Sequence, residues 1–552
     1  MRNETLQAWL SLMTQHAQPA RIHWCDGSDG ELAWLRAQLE AEGALEALDR
    51  DQYPGCFVHR SDPTDALGLP HRRFVSTPNR EDAGPTNQWL AEDDAYGIVW
   101  PLFAKAMVGR TLFVVPYLLG SPASKYAQVG VQLTDSPLVV LWMAMLTRVG
   151  HVALEHLGRS GDFVRGVHCL SDLDPGRRFQ VLFPATQTCW SIGSACPEVA
   201  ALFKSHALGL AGCLAPEEGY LAEHMSVVGV TSPSHHTRYV AAAFPSGCGK
   251  THLAALAPSV PGWKVELVAD GACLLRVGDD GRLWAMNPAA GIDGLVGDVH
   301  PLQDPVGRGR LTRDVLFANV AFSAEGMRAA HPNARFVVSA RDWPNLSKKF
   351  YAADGVPLSA ILFGGRRSGL VPLVFEATSW EHGVYVGATS RSESASCAGG
   401  LAGEPRHDPM AMLPYCSYNL ADYLGHWLRL GSLLRRPPRI FHVNWFRTGE
   451  RGQLLWPGFG ENIRVLAWVL ERVEQAVDAI RTPIGFVPRS LDTRGLELAA
   501  DALEQLLRVD VGGWLREARE SEAFLELFGE RLPATLRRQN AALLGRLRDA
   551  TN

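Results

Sequence analysis

No C-x-x-C pair occurs among the ten cysteines, at positions 25, 56, 169, 189, 196, 213, 248, 273, 397 and 416. Zinc-ribbon and thioredoxin-type chemistries are built on such pairs and are excluded on that ground. Scattered thiols in a chain of 552 residues read as reduced and mostly buried, the usage of a cytoplasmic protein rather than a disulfide scaffold. Long apolar runs are missing as well. The longest, "PLVVLWMAML" at 137–146, is far short of the roughly 20 residues that cross a bilayer and reads as a core segment. The N-terminal "MRNETLQAWLSLMTQHAQPA" lacks the continuous apolar stretch of a signal peptide. Positive charge is not in excess: the net charge is −5 and the pI near 6.4, which gives no general attraction to nucleic acid or to an anionic membrane. Internal repeats and low-complexity segments are absent too. What remains is ordinary globular composition, 47% hydrophobic and 20% charged, in a chain long enough for more than one domain.

Between 50 and 240, short apolar segments such as "GRTLFVVPYLLG" and "RFQVLFPA" are broken by Gly and Pro, which predicts mixed α/β structure. "MSVVGVT" and "TRYVAAAF" read as strands, "THLAALAP" as a short helix closed by proline, and "WKVELVAD" as a buried strand ending on an acid. From "RVLAWVLERVEQAVDAI" to the C-terminal "ATLRRQNAALLGRLRDA" the pattern predicts a layer of amphipathic helices. "GGLAGEPRHDP" (399–409) reads as a loop that moves, and His235 and His236 as part of a polar loop with no third ligand in range.

The stretch "AAAFPSGCGKTHLAAL" (241–256) joins a strand to a helix through small residues. Such a turn lets backbone N–H groups converge on phosphate oxygens, with the helix N-terminus adding partial positive charge. Lys250 is placed to offset the phosphates, and the Thr251 hydroxyl to ligate a divalent cation. Asp270, ending the next predicted strand, is the acid that would hold a nucleotide's magnesium. The loop is unusual in one respect: Phe244 stands where the common nucleotide loop has its first glycine.

That wording resembles the phosphate loop of the GTP-dependent phosphoenolpyruvate carboxykinases. "GVQLTDSPLVV" (130–140), "EEGYLAEHM" (217–225), "HPNARF" (331–336), "FGGRR" (363–367), "HDPMAMLP" (407–414), "HVNWFR" (442–447) and "LWPGFGENIRVL" (455–466) match the family in its own order. The resemblance implies a two-domain α/β fold, with a substrate-side domain over 1–230 and a P-loop nucleotide domain over 231–552. A mobile lid is expected near 391–408, beginning at Arg391, with the helical layer at the C-terminus. It further implies GTP or GDP, Mn2+ and Mg2+ as cofactors, a small carboxylated or enolate phosphoryl acceptor as the other partner, and a monomer. Ser246, Gly247, Cys248, Gly249, Lys250 and Thr251 would form the loop. Lys204, His224, Asp270 and Thr251 would serve the metals; Arg335, Asn333 and Arg366 would reach substrate and phosphates. Trp445, Phe446, Phe459 and Asn462 would line the guanine pocket.

The departures cluster at the acceptor end. The family's carboxylate-gripping arginine falls on Gly68 in "DPTDALG", and Arg72 and Arg73 stand four or five residues out of register. The family's tyrosine-bearing glycine stretch reads "SACPE" (194–198), its second strand-end aspartate is Gly271, and one wall of its base pocket is Leu454. Fixed cations at Lys250, Arg335 and Arg366 suit phosphoryl transfer. Losing an Arg–carboxylate clamp weakens hold on a small acid. The expectation is therefore a carboxykinase-like phosphotransferase with an altered acceptor pocket; the alternatives are the standard reaction and a catalytically weak nucleotide-binding regulator.

Overall fold

The computed structural model describes residues 3–62, 65, 72–296, 311–323, 326–329, 334–393, 403–499 and 501–551. Gly68, Asn333 and residues 394–402 of the expected lid lie outside the described residues.

In the N-terminal part, an eight-stranded sheet runs in the order Arg21–Trp24, Thr111–Leu119, Gln128–Thr134, Val164–Cys169, Thr188–Ile192, Phe179–Phe183, Arg73–Val75, with Arg148–Val149 paired beside Thr111–Leu119. The apolar run at 137–146 is a helix, Pro137–Leu146, started by Ser136, whose hydroxyl accepts the Val139 N–H. Proline in its first turn costs no intrahelical bond. Eight of its ten residues are buried, and it packs on the helix Asp29–Ala41 and the strand Arg335–Ser339, which explains a sequence apolar all round.

The second half is built on an eleven-stranded mixed sheet. At its centre Thr237–Ala243, Val356–Gly364 and Arg439–Val443 lie side by side and parallel. Their register sets Ala243 beside Phe363 and Gly364 beside Val443. The segments leaving the carboxyl ends of these strands, starting at Phe244, Gly365 and Asn444, therefore emerge at one level. In open α/β sheets that edge is where ligands bind.

A five-stranded sheet orders Gly291–Leu295, Arg335–Ser339, Val315–Ala318, Phe57–His59 and Glu46–Ala47. It crosses the expected division at 230/231, since the early strand Phe57–His59 pairs with Val315–Ala318. The helical reading of the C-terminal region also needs correction. The helix Asn462–Val473 ends early, Gln475 takes φ +58, and Ala479–Thr482 with Gly485–Pro488 form a hairpin on the sheet edge against Val374–Glu376. Pro483 and Gly485 favour the turn, and β-branched Ile480 and Val487 suit the strands. Helices Ala502–Leu507, Val511–Glu526 and Ala534–Asp549 complete the layer as expected. All nine described cysteines are free. Among the described residues no helix is long and apolar enough to cross a membrane.

Candidate active site

The phosphate loop leaves Thr237–Ala243 and enters the helix Lys250–Ala254, with Gly247 at φ +81 and Gly249 at φ +92, backbone that side chains rarely adopt. Phe244 is buried, and its ring lies 3.0 Å from where a Cβ on Gly364 would stand. The aromatic ring thus fills the space left by a glycine on the adjacent strand. Trp445 meets Phe244 edge to face at 6.5 Å and lies against Gly249. Phe459 packs on His252 of the loop's helix, its ring centre 5.1 Å away, and Asn462 accepts the Trp456 indole N–H at 2.9 Å. Phe446 carries the Arg366 guanidinium over its face at 4.2 Å. Trp445, Phe459 and, through Arg366, Phe446 thus stand along the loop or its helix, Asn462 lies with Trp456, and Leu454 is exposed.

Arg366 also donates to the Gly247 carbonyl at 3.2 Å, and its own N–H goes to the Ser392 hydroxyl. The same hydroxyl meets the Cys248 thiol at 3.2 Å. The loop, the "FGGRR" turn and the root of the lid segment are thereby tied together. Arg391 is fixed at that root by Glu517 and Glu520 and by the Pro405 carbonyl.

Lys250 is buried, with Nζ 2.6 Å from Nε2 of His224. Burial, then Lys250 and Lys204, hold His224 well below its ordinary range, so the ring is neutral and accepts that contact. Its ring centre lies 4.4 Å from that of Tyr415. Asp270 is buried and accepts from the Ser226 hydroxyl through Oδ1, while its Oδ2 has no hydrogen-bond partner among the described residues. Burial raises the Asp270 pKa, against Lys250.

Arg335 is buried and Lys204 half-buried, both drawn in from the surface. Lys204 stands just before a π-helical segment, Ser205–Leu210, a geometry common at functional sites. Its ammonium pairs with Asp293 at 2.5 Å and Glu198 at 3.0 Å. Burial acts to lower the Lys204 pKa, but Asp293 and then Tyr415 outweigh it, so the net shift is upward and the amine is a cation here. Arg335 begins the strand Arg335–Ser339, pairs with Glu198, and shares a sheet face with Asp293.

Three residues here, Glu198, Asp293 and Tyr415, escaped the sequence reading, and a fourth, Arg73, was set aside on its register. Glu198 and Asp293 are single acids in otherwise apolar or small-residue segments, "ACPEVAALF" and "GIDGL", and that isolation was the available signal. Tyr415 lies within electrostatic reach of Lys204, Arg335 and Arg73. Arg73 is half-buried on the sheet edge, and its Nε lacks a partner. Its register in sequence argues against it, but it lies within electrostatic reach of Cys189 and Tyr415, which sets it near the cluster.

Comparison with known proteins decides the family. Residues 8–216 match the phosphoenolpyruvate carboxykinase N-terminal domain, and 220–328 with 322–546 match the phosphoenolpyruvate carboxykinase C-terminal P-loop domain of the GTP type. The chain belongs to the GTP-dependent phosphoenolpyruvate carboxykinase family. A relative from Anaeromyxobacter dehalogenans (strain 2CP-C), named phosphoenolpyruvate carboxykinase [GTP], is 42% identical, covering 99% of this chain and 98% of its own length. Relatives of the same name from Chlamydia muridarum and Chlamydia trachomatis are 40% and 39% identical, each covering 96% of this chain and 95% of its own length. This member carries the family's two-part α/β architecture and its phosphate loop, with Glu198, Asp293 and Tyr415 gathered at the far end of the cluster.

Among the described residues, one trio of His, Cys, Asp and Glu ligand atoms lies within 4.8 Å of one another: His23, Cys25 and Glu31, in the N-terminal part. Glu31 there is already engaged by His23 and by the N–H groups of Asp26 and Gly27. Of the four residues expected to serve the metals, His224, Asp270 and Thr251 offer neutral or acidic donors, whereas Lys204 is a cation held by Asp293 and Glu198; the partnerless, buried Asp270 Oδ2 is the observation that favours a divalent cation.

Proposed function

We propose that the chain interconverts oxaloacetate and phosphoenolpyruvate, using GTP or GDP and a divalent cation, Mn2+ or Mg2+. The observation that carries this reading is the assembly of Lys250, His224, Asp270 and Lys204 in one electrostatic cluster behind the phosphate loop, joined by Arg335 through the Glu198 it shares with Lys204. Identity of about two-fifths to enzymes of that name, over nearly the whole length, supports it.

The loop N–H groups and Lys250 cradle the nucleotide phosphates, and Lys250 leaves His224 to reach them. Arg366 approaches from the Gly247 side and Arg335 from the acceptor side, offsetting charge as the phosphoryl group moves. A bound divalent cation adds positive charge against phosphate and carboxylate oxygens. Arg73 takes the place of the arginine absent at Gly68, because its Nε is a buried donor without an acceptor. Tyr415 supplies an aromatic face and a hydroxyl at this end. Trp445, Phe446, Phe459 and Asn462 hold guanine, and Asn333 helps Arg335 at substrate and phosphate. We place the enzyme in the cytoplasm as a monomer, with the division near 230/231 and a closing lid over 391–408.

A second reading, transfer to a different acceptor, is favoured by one observation: Glu198 and Asp293 neutralise the cations that would otherwise meet a dianionic acid. Incubation with oxaloacetate, GTP and Mn2+ separates the two. Steady phosphoenolpyruvate formation supports the standard reaction; GTP turnover with other acids or alcohols, but none with oxaloacetate, overturns it. GTP should also raise the melting temperature more than ATP, and equal shifts would refute the guanine pocket.

A further inference from the structure

Gly271 follows Asp270 in a left-handed turn, φ +76, and offers no side chain. A Cβ built there would lie 3.4 Å from Oδ1 of Asp293, the nearest atom it would meet. Asp293 therefore reaches from the neighbouring five-stranded sheet into the space that a side chain at 271 would begin to fill. It is 6% exposed, in the middle of the strand Gly291–Leu295 opposite Val337. The next residue, Gly294, faces the other side of the sheet, where its Cβ position is 3.3 Å from the Thr251 hydroxyl, so the strand stands between Asp293 and the phosphate loop's helix.

We infer that Asp293 is a ligand of the divalent cation, supplying from the Gly291–Leu295 strand the second carboxylate beside Asp270. Two buried carboxylates in electrostatic contact repel each other, and the pair is held together when a cation sits between them. Lys204 meets Asp293 Oδ2 but leaves Asp270 Oδ2 without a partner. Two carboxylates form a hard oxygen donor pair, suited to Mn2+ or Mg2+ and poorly suited to softer ions. The assignment is independent of His23, Cys25 and Glu31, and it rests on the reading that this site uses a divalent cation.

The test is a Mn2+ titration of the full chain without nucleotide, following free Mn2+ by electron paramagnetic resonance. Asp293→Asn keeps the shape and the contact with Lys204 but removes the charge, and should weaken Mn2+ binding at least about tenfold. Gly271→Asp combined with Asp293→Asn returns a carboxylate to the turn, where Asp tolerates positive φ better than most residues, and should recover most of the lost affinity. Should Asp293→Asn fold poorly, Asp293→Ser enters the same titration. Wild-type-like affinity, within about twofold, in a folded Asp293 variant overturns the inference, as does a wild type that binds no Mn2+. Mn2+ binding that depends on Asp293 in a protein making no phosphoenolpyruvate sustains the ligand and defeats the proposed reaction; unchanged binding in an active enzyme does the reverse.

Discussion

Glu223, the residue before His224, is fully buried and caught between the Tyr423 hydroxyl, at 2.7 Å, and the Trp427 indole N–H, at 2.9 Å. Burial pushes its carboxyl from an ordinary 4.5 up to about 8, with the two hydrogen bonds opposing. Between those values the folded chain keeps a proton that the unfolded chain has released, so stability falls as pH rises through this window. With one pH unit worth about 1.4 kcal/mol, the loss is under about 1 kcal/mol at pH 5, about 3 at pH 7 and about 5 above pH 9. Glu223→Gln keeps an oxygen for both donors and cannot ionise. Its melting temperature should match wild type near pH 5 and exceed it increasingly toward pH 9. A gap that stays constant with pH, or a variant that grows less stable at high pH, would refute the reasoning.

Lys250→Ala should abolish phosphoryl transfer while leaving circular dichroism and the melting temperature near wild type; retained turnover removes the loop's assigned role. Arg73→Gln should raise KM for the carboxylic acid about tenfold or more, with a smaller fall in kcat, because it removes one charge-assisted clamp; unchanged steady-state kinetics would show that Arg73 does not touch substrate. Glu517→Ala should destabilise the protein by about 3–5 kcal/mol in chemical denaturation, since it leaves buried Arg367 and nearly buried Arg391 without their shared carboxylate. A loss under about 1 kcal/mol would contradict that.

Legibility in the sequence followed locality. The strand, small-residue turn and helix at 237–254 could be read directly, because every determinant lies within a few residues. The strand-end acid Asp270 could be read from its place after the next strand, whereas the anchors Arg335 and Arg366 became visible only through several motifs matched together. Glu198, Asp293 and Tyr415 were hidden because they meet through sheets joined far apart in the chain: Lys204 and Asp293 are separated by 89 residues. The helical pattern up to "AVDAI" misled because short amphipathic stretches fit either period, and a β edge was waiting at Val374–Glu376. Counting register from Gly68 likewise undervalued Arg73, since side chains converge in space whatever their spacing along a strand.

Phe244 gives the nucleotide cradle a mechanical character that a glycine there would not. A ring wedged over Gly364 and braced by Trp445 fastens the mouth of the loop to two inner strands. Loosening those strands should unseat the triphosphate grip at the same moment. Nucleotide affinity and sheet cooperativity should accordingly fade together along a denaturant gradient, and an early loss of binding would show the wedge to be ornamental.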